Sequence, residues 1–156
     1  MTDAVRPEPT NTLPDGVRAM WLCEDAIGVA IVVAIAFAIA SAVDALMPWL
    51  ALLAAAGGLA RIALIPRERH RRYRWELREE ELDLLDGVFT VTRTVVPITR
   101  IQHVSIERTG WTSLFDVVRL NVHTAAGKTT IPGLGPARAG DVRDRIIARL
   151  RTPDDL

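Results

Sequence analysis

The sequence is poor in the residues on which most enzymes and secreted scaffolds depend. Its 156 residues include one cysteine, Cys23. No internal disulfide can form, and nothing points to an oxidising compartment. An unmodified interfacial thiol is the ordinary reading of Cys23, and a juxtamembrane acylation site the sharper one. No nucleophile elbow is present, and Ser105 and Ser113 lack any flanking pattern. There is no glycine-rich phosphate loop; Gly133-Leu134-Gly135-Pro136 reads as a loop and helix entry. Formal net charge is zero, with 19 basic and 19 acidic residues, which argues against nucleic acid as a partner. His103, His123 and Glu107 fall on one face if their strands pair, a conceivable metal site, but outward polar residues are the default and no ligand spacing supports it. Glu79-Glu80-Glu81 reads as a solvated turn. The expectation is a protein that is not an enzyme and holds no cofactor and no metal.

What is abundant is apolar sequence in one block. From Ile27 to Ile65 it is nearly continuous. Ala26 to Ala45 carries no charge before Asp44, and twenty helical residues rise about 30 Å, the thickness of a bilayer's hydrocarbon core. Trp49 to Ile65 forms a second candidate span. Arg61 would cost about 2.5–3.5 kcal/mol at the bilayer centre, yet it lies one turn from the end and can snorkel. Residues 44–48 break the run with a charge and a helix-stopping proline. So short a connection makes the two spans an antiparallel hairpin. A buried helical hairpin in a soluble protein is the bland alternative, but the remaining chain could not cover two helices apolar on all faces.

Charge is placed by region. Arg67, Arg69, Arg71, Arg72 and Arg74 crowd behind the second span with a single Glu68, while the charged residues among the first 25 are mostly acidic. By the positive-inside rule the cluster stays in the cytoplasm, and both termini with it. The same arginines form a candidate lipid surface, each contributing about 1 kcal/mol beside anionic headgroups. Gly57-Gly58, among alanines, lets another helix backbone approach closely: either the first span or a partner's transmembrane helix.

After Pro66 the pattern turns to short strands: Tyr73 to Leu77, Leu82 to Leu85, and, past a two-residue turn at Asp86-Gly87, Val88 to Val96 with Phe89, Val91 and Val95 on one face. Pro97 ends that strand. Ile101 to Arg108 follows, with Ile101 breaking the alternation as a bulge would. Val117 to Thr124 points Val118, Leu120 and Val122 inward, and Lys128 to Ile131 comes after a turn. A closing helix from Ala137 to Arg149 carries Val142, Ile146 and Leu150 on one stripe. The expected fold is a two-helix membrane hairpin plus a mainly-β domain: a bent antiparallel sheet of six to seven strands closed by a C-terminal helix. Trp111, Leu114 and Phe115, in a connection, are either core or partner contact.

The strings Leu82 to Ile106 (LDLLDGVFTVTRTVVPITRIQHVSI) and Ser113 to Leu134 (SLFDVVRLNVHTAAGKTTIPGL) resemble the PH-like (pleckstrin-homology-like) domain of YdbS-type bacterial membrane proteins. The likeness lies in the spacing of Pro97, Arg100-Ile101-Gln102, Val104, Leu114-Phe115 and Thr124, and it extends over Ile27 to Leu150. Asp116 departs from it, since such sequences more often carry glycine there. The resemblance implies a division into a tail (1–25), a hairpin (26–65), a basic linker (66–72), a PH-like domain (73–151) and a short tail (152–156). It also implies the bacterial inner membrane, and a module that binds proteins or lipids. The leading expectation is assembly with a membrane-protein partner or a second copy, for instance a larger multi-span member of the family. Binding of anionic lipid through the arginine cluster is the alternative. A transporter or channel is a weak third, because only Asp44 and Arg61 are ionisable within the hairpin.

Overall fold

The structure is a computed structural model that describes residues 7–42 and 47–151. Two long helices come first: α1 (Asp15–Ala42) and α2 (Met47–Arg72). Residues 44–46 of the expected turn lie outside the described residues, whereas Met47 and Pro48 already belong to α2. Proline is tolerated in a first turn because its missing N–H has no partner there anyway.

Six strands follow. β1 (Arg74–Leu77), β2 (Glu81–Asp86) and β3 (Thr92–Pro97) make sheet A; β4 (Ile101–Glu107), β5 (Val118–Thr124) and β6 (Gly127–Leu134) make sheet B. All pairings are antiparallel. The single sheet of six to seven strands is thus corrected to two sheets of three. Pro97 cannot donate to a ladder, and the 3-10 turn Ile98–Arg100 redirects the chain so that β4 pairs with β5 and not with β3. The bulge at the start of β4 is present, as a register shift between Ile101 and His103.

Two local expectations are also corrected. The Asp86-Gly87 turn does not lead straight into a strand from Val88; residues 87–91 form a longer loop, and Phe89 is 90% exposed instead of facing the core. The segment after Ile131 is not a loop either, because β6 continues to Leu134, which pairs with Val118. A short helix α3 (Gly110–Leu114) links β4 to β5, with Thr109 and Thr112 forming a reciprocal capping box. Asp116, the departure from the family pattern, adopts φ +52°. It occupies the left-handed conformation a glycine would take more easily, so the turn is kept.

The closing helix α4 (Pro136–Arg151) lays Val142 and Ile146 on the sheets, while Leu150 stays 37% exposed. Leu82, Leu84, Val118, Leu120, Val122, Ile131 and Leu134 fill the centre.

The residues expected to be a tail complete this core. Leu13, Val17, Met20 and Trp21 are all buried in it. Burying side chains of this size contributes about 1.5–3 kcal/mol each. Close approach is made possible by two glycines. A Cβ on Gly133 would meet Val17 Cγ2 at 2.3 Å, and one on Gly16 would meet the Phe115 carbonyl oxygen at the same distance. Upstream, Asn11 exchanges backbone hydrogen bonds with Trp75 at 3.1 and 3.0 Å, covering the open edge of β1. The carbonyl of Pro7 accepts from Arg78 and Arg93. Those two arginines also surround Asp83, which is fully buried and takes a bidentate contact from Arg93 at 3.0 and 2.6 Å.

α2 likewise does not stop at the end of the apolar block. It runs through Pro66, and residues 66–72, expected as a linker, are its last turns. The lost backbone hydrogen bond at Pro66 is offset by docking: Pro66 is buried, the Arg69 guanidinium lies 4.3 Å over the Trp21 ring, and the His70 ring contacts the Pro14 carbonyl at 3.2 Å. Both long helices therefore enter the domain as structural parts of it.

Candidate functional site

Among the described residues, one helix is long and apolar enough to cross a membrane, over Asp15–Ile39. Its second half bears the exposed apolar surface: Ile31, Ile35 and Phe37 are 55%, 54% and 69% exposed. On α2, Trp49, Leu53 and Leu59 are equally bare. A surface this apolar on both helices needs lipid or protein around it.

The Gly57-Gly58 pair divides its roles. Gly58 packs on α1, where a Cβ would fall 2.4 Å from Val29 Cγ1, while Gly57 has open space before it. Gly28, Val32, Ala54 and Gly57 line a groove of about 410 Å³ between the helices. At one end of that groove Arg61 donates to Asp25 at 2.9 Å. Arg61 therefore has a partner at the edge of the apolar block.

The arginine cluster is largely engaged within the molecule. Arg69 stacks on Trp21 and faces Asp86 at 3.5 Å. Arg71 and Arg72 share Glu68 at 2.9 and 3.3 Å. The Arg71 hydrogen bond is the main reason the Glu68 carboxyl is held below its usual pKa. Arg72 also donates to the Val88 carbonyl at 3.0 Å, and Arg74 to the Tyr73 carbonyl at 2.8 Å. Arg67 is exposed.

Of the three apolar residues in the β4–β5 connection, Trp111 and Phe115 pack edge-to-face at 5.4 Å against the core. Leu114 alone points outward, 74% exposed. The indole N–H of Trp111 donates to Glu24 at 3.1 Å, fastening α3 to α1.

A polar cleft of about 380 Å³ opens where the bases of α1 and α2 meet sheet B and the end of β2. It is lined by Glu24, Arg69, Asp86, Glu107, Arg119 and Lys128, with Trp21 and Tyr73 at its sides. Burial, reinforced by Asp86, pushes the Tyr73 hydroxyl above its ordinary pKa. Beyond the cleft, His103 and His123 stack at 4.1 Å. Partial burial, then His103 and Lys128, lowers the pKa of His123. Among the described residues no three His, Cys, Asp or Glu side chains come together as metal ligands. Glu107 instead accepts from the Asn121 amide at 3.1 Å.

Sequence reading did not single out the cleft, because its charges come from six separate elements. The docking of α1 did leave a signal: Val17, Met20 and Trp21 fall at helical spacing ahead of the apolar block.

The profile of the bacterial PH domain family matches residues 24–150. A curated relative, the UPF0699 transmembrane protein YdbS of Bacillus subtilis, is 31% identical over 158 aligned positions, spanning 97% of this chain and 99% of that protein. No solved structure matches significantly. With six antiparallel strands, a closing helix and an apolar N-terminal helix to set beside these matches, the chain belongs to the bacterial PH domain family and is a YdbS-like, membrane-associated protein.

Proposed function

We propose that this protein is a non-enzymatic assembly module: both helices cross the inner membrane as a hairpin, and the PH-like domain meets a membrane-protein partner on the cytoplasmic side. One observation carries the reading. Val17, Met20 and Trp21 belong to the same helix as the exposed apolar residues and to the same core as the sheets. The domain is thereby fixed in height and rotation relative to the membrane segment. Diffuse attraction of the arginine cluster to anionic lipid needs no such coupling, whereas a partner gripped in the bilayer and above it does. The open groove at Gly57 offers the grip in the bilayer, and Leu114 an exposed contact above it.

The alternative, capture of anionic lipid by the arginine cluster, is less well supported. Arg71, Arg72 and Arg74 are already spent on hydrogen bonds and ion pairs within the molecule. The test is affinity purification of the full-length protein from its native membranes in mild detergent, with mass spectrometry of the co-purifying proteins. A stoichiometric membrane protein is expected, lost on Gly57→Leu and weakened by Leu114→Glu. Recovery of the chain alone, or with anionic lipid that is lost on charge reversal at 71, 72 and 74, would move the arginine cluster to the front.

A further inference from the structure

We propose that the polar cleft at the bases of α1 and α2 binds a phospholipid headgroup bearing both a phosphate and a primary ammonium, the chemistry of a phosphoethanolamine ester. Its three cations, Arg69, Arg119 and Lys128, face three anions, Glu24, Asp86 and Glu107. Bringing an anionic headgroup into this half-enclosed space would leave net charge without compensation. A zwitterion adds none.

The pairing inside the cleft is loose. Arg119 stands 3.9 Å from Glu24, Lys128 4.0 Å from Glu107, and Arg69 3.5 Å from Asp86. Elsewhere in the same molecule Arg93–Asp83, Arg61–Asp25 and Arg71–Glu68 close to 2.6, 2.9 and 2.9 Å, the length of a charge-assisted hydrogen bond. Two of the cleft carboxylates are oriented by neutral donors instead: Glu24 by the Trp111 indole, and Glu107 by the Asn121 amide. Asn121 is only 3% exposed and is itself fixed by the Thr130 hydroxyl at 2.9 Å. The carboxylates are held in place while the cations keep donors for a phosphate. Asp86 Oδ1, moreover, is buried without a hydrogen-bond partner among the described residues. An ammonium can supply the missing donor, and a quaternary choline cannot.

Position argues for a lipid over a free metabolite. Glu24 adjoins Asp25, the last charge before the apolar run, and Arg69 lies about 12 Å along α2 from Arg61, Asp25's partner. That is headgroup depth. Directly after Asp86, the loop holding Phe89 and Val91 exposes both side chains, and Arg72 ties it to the end of α2. Apolar side chains beside the cleft suit a ligand with acyl chains.

The test uses the full-length protein in vesicles of equal parts phosphatidylethanolamine, phosphatidylcholine and phosphatidylglycerol, extracted in mild detergent, with retained lipid counted by native mass spectrometry. Phosphatidylethanolamine should be held over each of the others by about tenfold in affinity. Lys128→Gln and Glu107→Gln, both at exposed side chains, should each abolish the preference, while Arg143→Gln on α4 keeps it. Failure of excess soluble phosphoethanolamine to displace the lipid supports the cleft with the bilayer as source, and displacement supports it with the headgroup alone sufficing. Preference for phosphatidylglycerol, equal retention of all three lipids, or a preference untouched by both variants would overturn the proposal. None of those results bears on the assembly reading, which is judged by co-purifying protein.

Discussion

Helix α1 is continuous from Asp15 to Ala42, yet its two halves meet different surroundings. In the first half Val17, Met20 and Trp21 are 0%, 1% and 6% exposed, interleaved with Arg18, Glu24 and Asp25. In the second, Ile31, Ile35 and Phe37 are more than half exposed and no charge intervenes. The first half is amphipathic and buries one stripe against β6 and α3; the second is apolar all round and has nothing of its own to pack on but α2. Apolar content therefore locates the membrane segment but not the end of the domain. That boundary lies inside a helix.

The sharpest way to break this contrast is to shorten one side chain in each half. Met20→Ala should destabilise the domain by about 2–5 kcal/mol, the usual cost of a core truncation. Ile35→Ala should change it by less than about 0.5 kcal/mol. Urea unfolding in detergent, followed by tryptophan fluorescence, measures both.

Arg93→Ala should follow with a smaller loss, because it removes the bidentate partner of a carboxylate with no exposure and one of the two donors to Pro7, while Arg78 still faces Asp83. The same unfolding assay checks it, and proteolysis should then cut earliest near residue 7. Gly58→Leu should cost about 1–3 kcal/mol by forcing α2 off Val29. Gly57→Leu, facing open space, should leave unfolding unchanged. Asp116→Gly should stabilise by about 1 kcal/mol, since a left-handed φ strains any residue with a Cβ.

The smallest effect concerns pH. His123 holds its proton less well when folded than at its ordinary pKa of 6.5. As pH falls through about 6.5 the unfolded chain takes the proton first, so stability is full above that value and declines below it. His123→Phe should flatten the decline between pH 7 and 5 in thermal melts.

Much of the strand layout was legible because alternation on a half-buried sheet is a short-range pattern. β1, β2, the bulged β4, β5 and α4 all fall where period and turn residues place them. Phe89 and Val91 misled for the opposite reason: they alternate like a strand, but the loop they occupy faces outward. The N-terminal segment was read as a tail because its partners, Trp75, Phe115 and Gly133, lie far away in sequence, and an acidic stretch before a span looks like solvent-exposed chain. The cleft was illegible for the same reason, multiplied over six elements. Of the expected contact residues, the structure leaves Leu114 and Gly57 outward and turns Trp111, Phe115 and Gly58 inward.

Hydrogen–deuterium exchange on the full-length protein in lipid nanodiscs tests the coupling of helix and domain most directly. If α1 is built into the core, the amides of Val17 to Glu24 will exchange as slowly as those of Val118 to Val122 in β5, and Met20→Ala will speed both together. Exchange of residues 17–24 within seconds, with β5 still protected, would show a flexible tether and would contradict a domain held rigidly by its membrane helix.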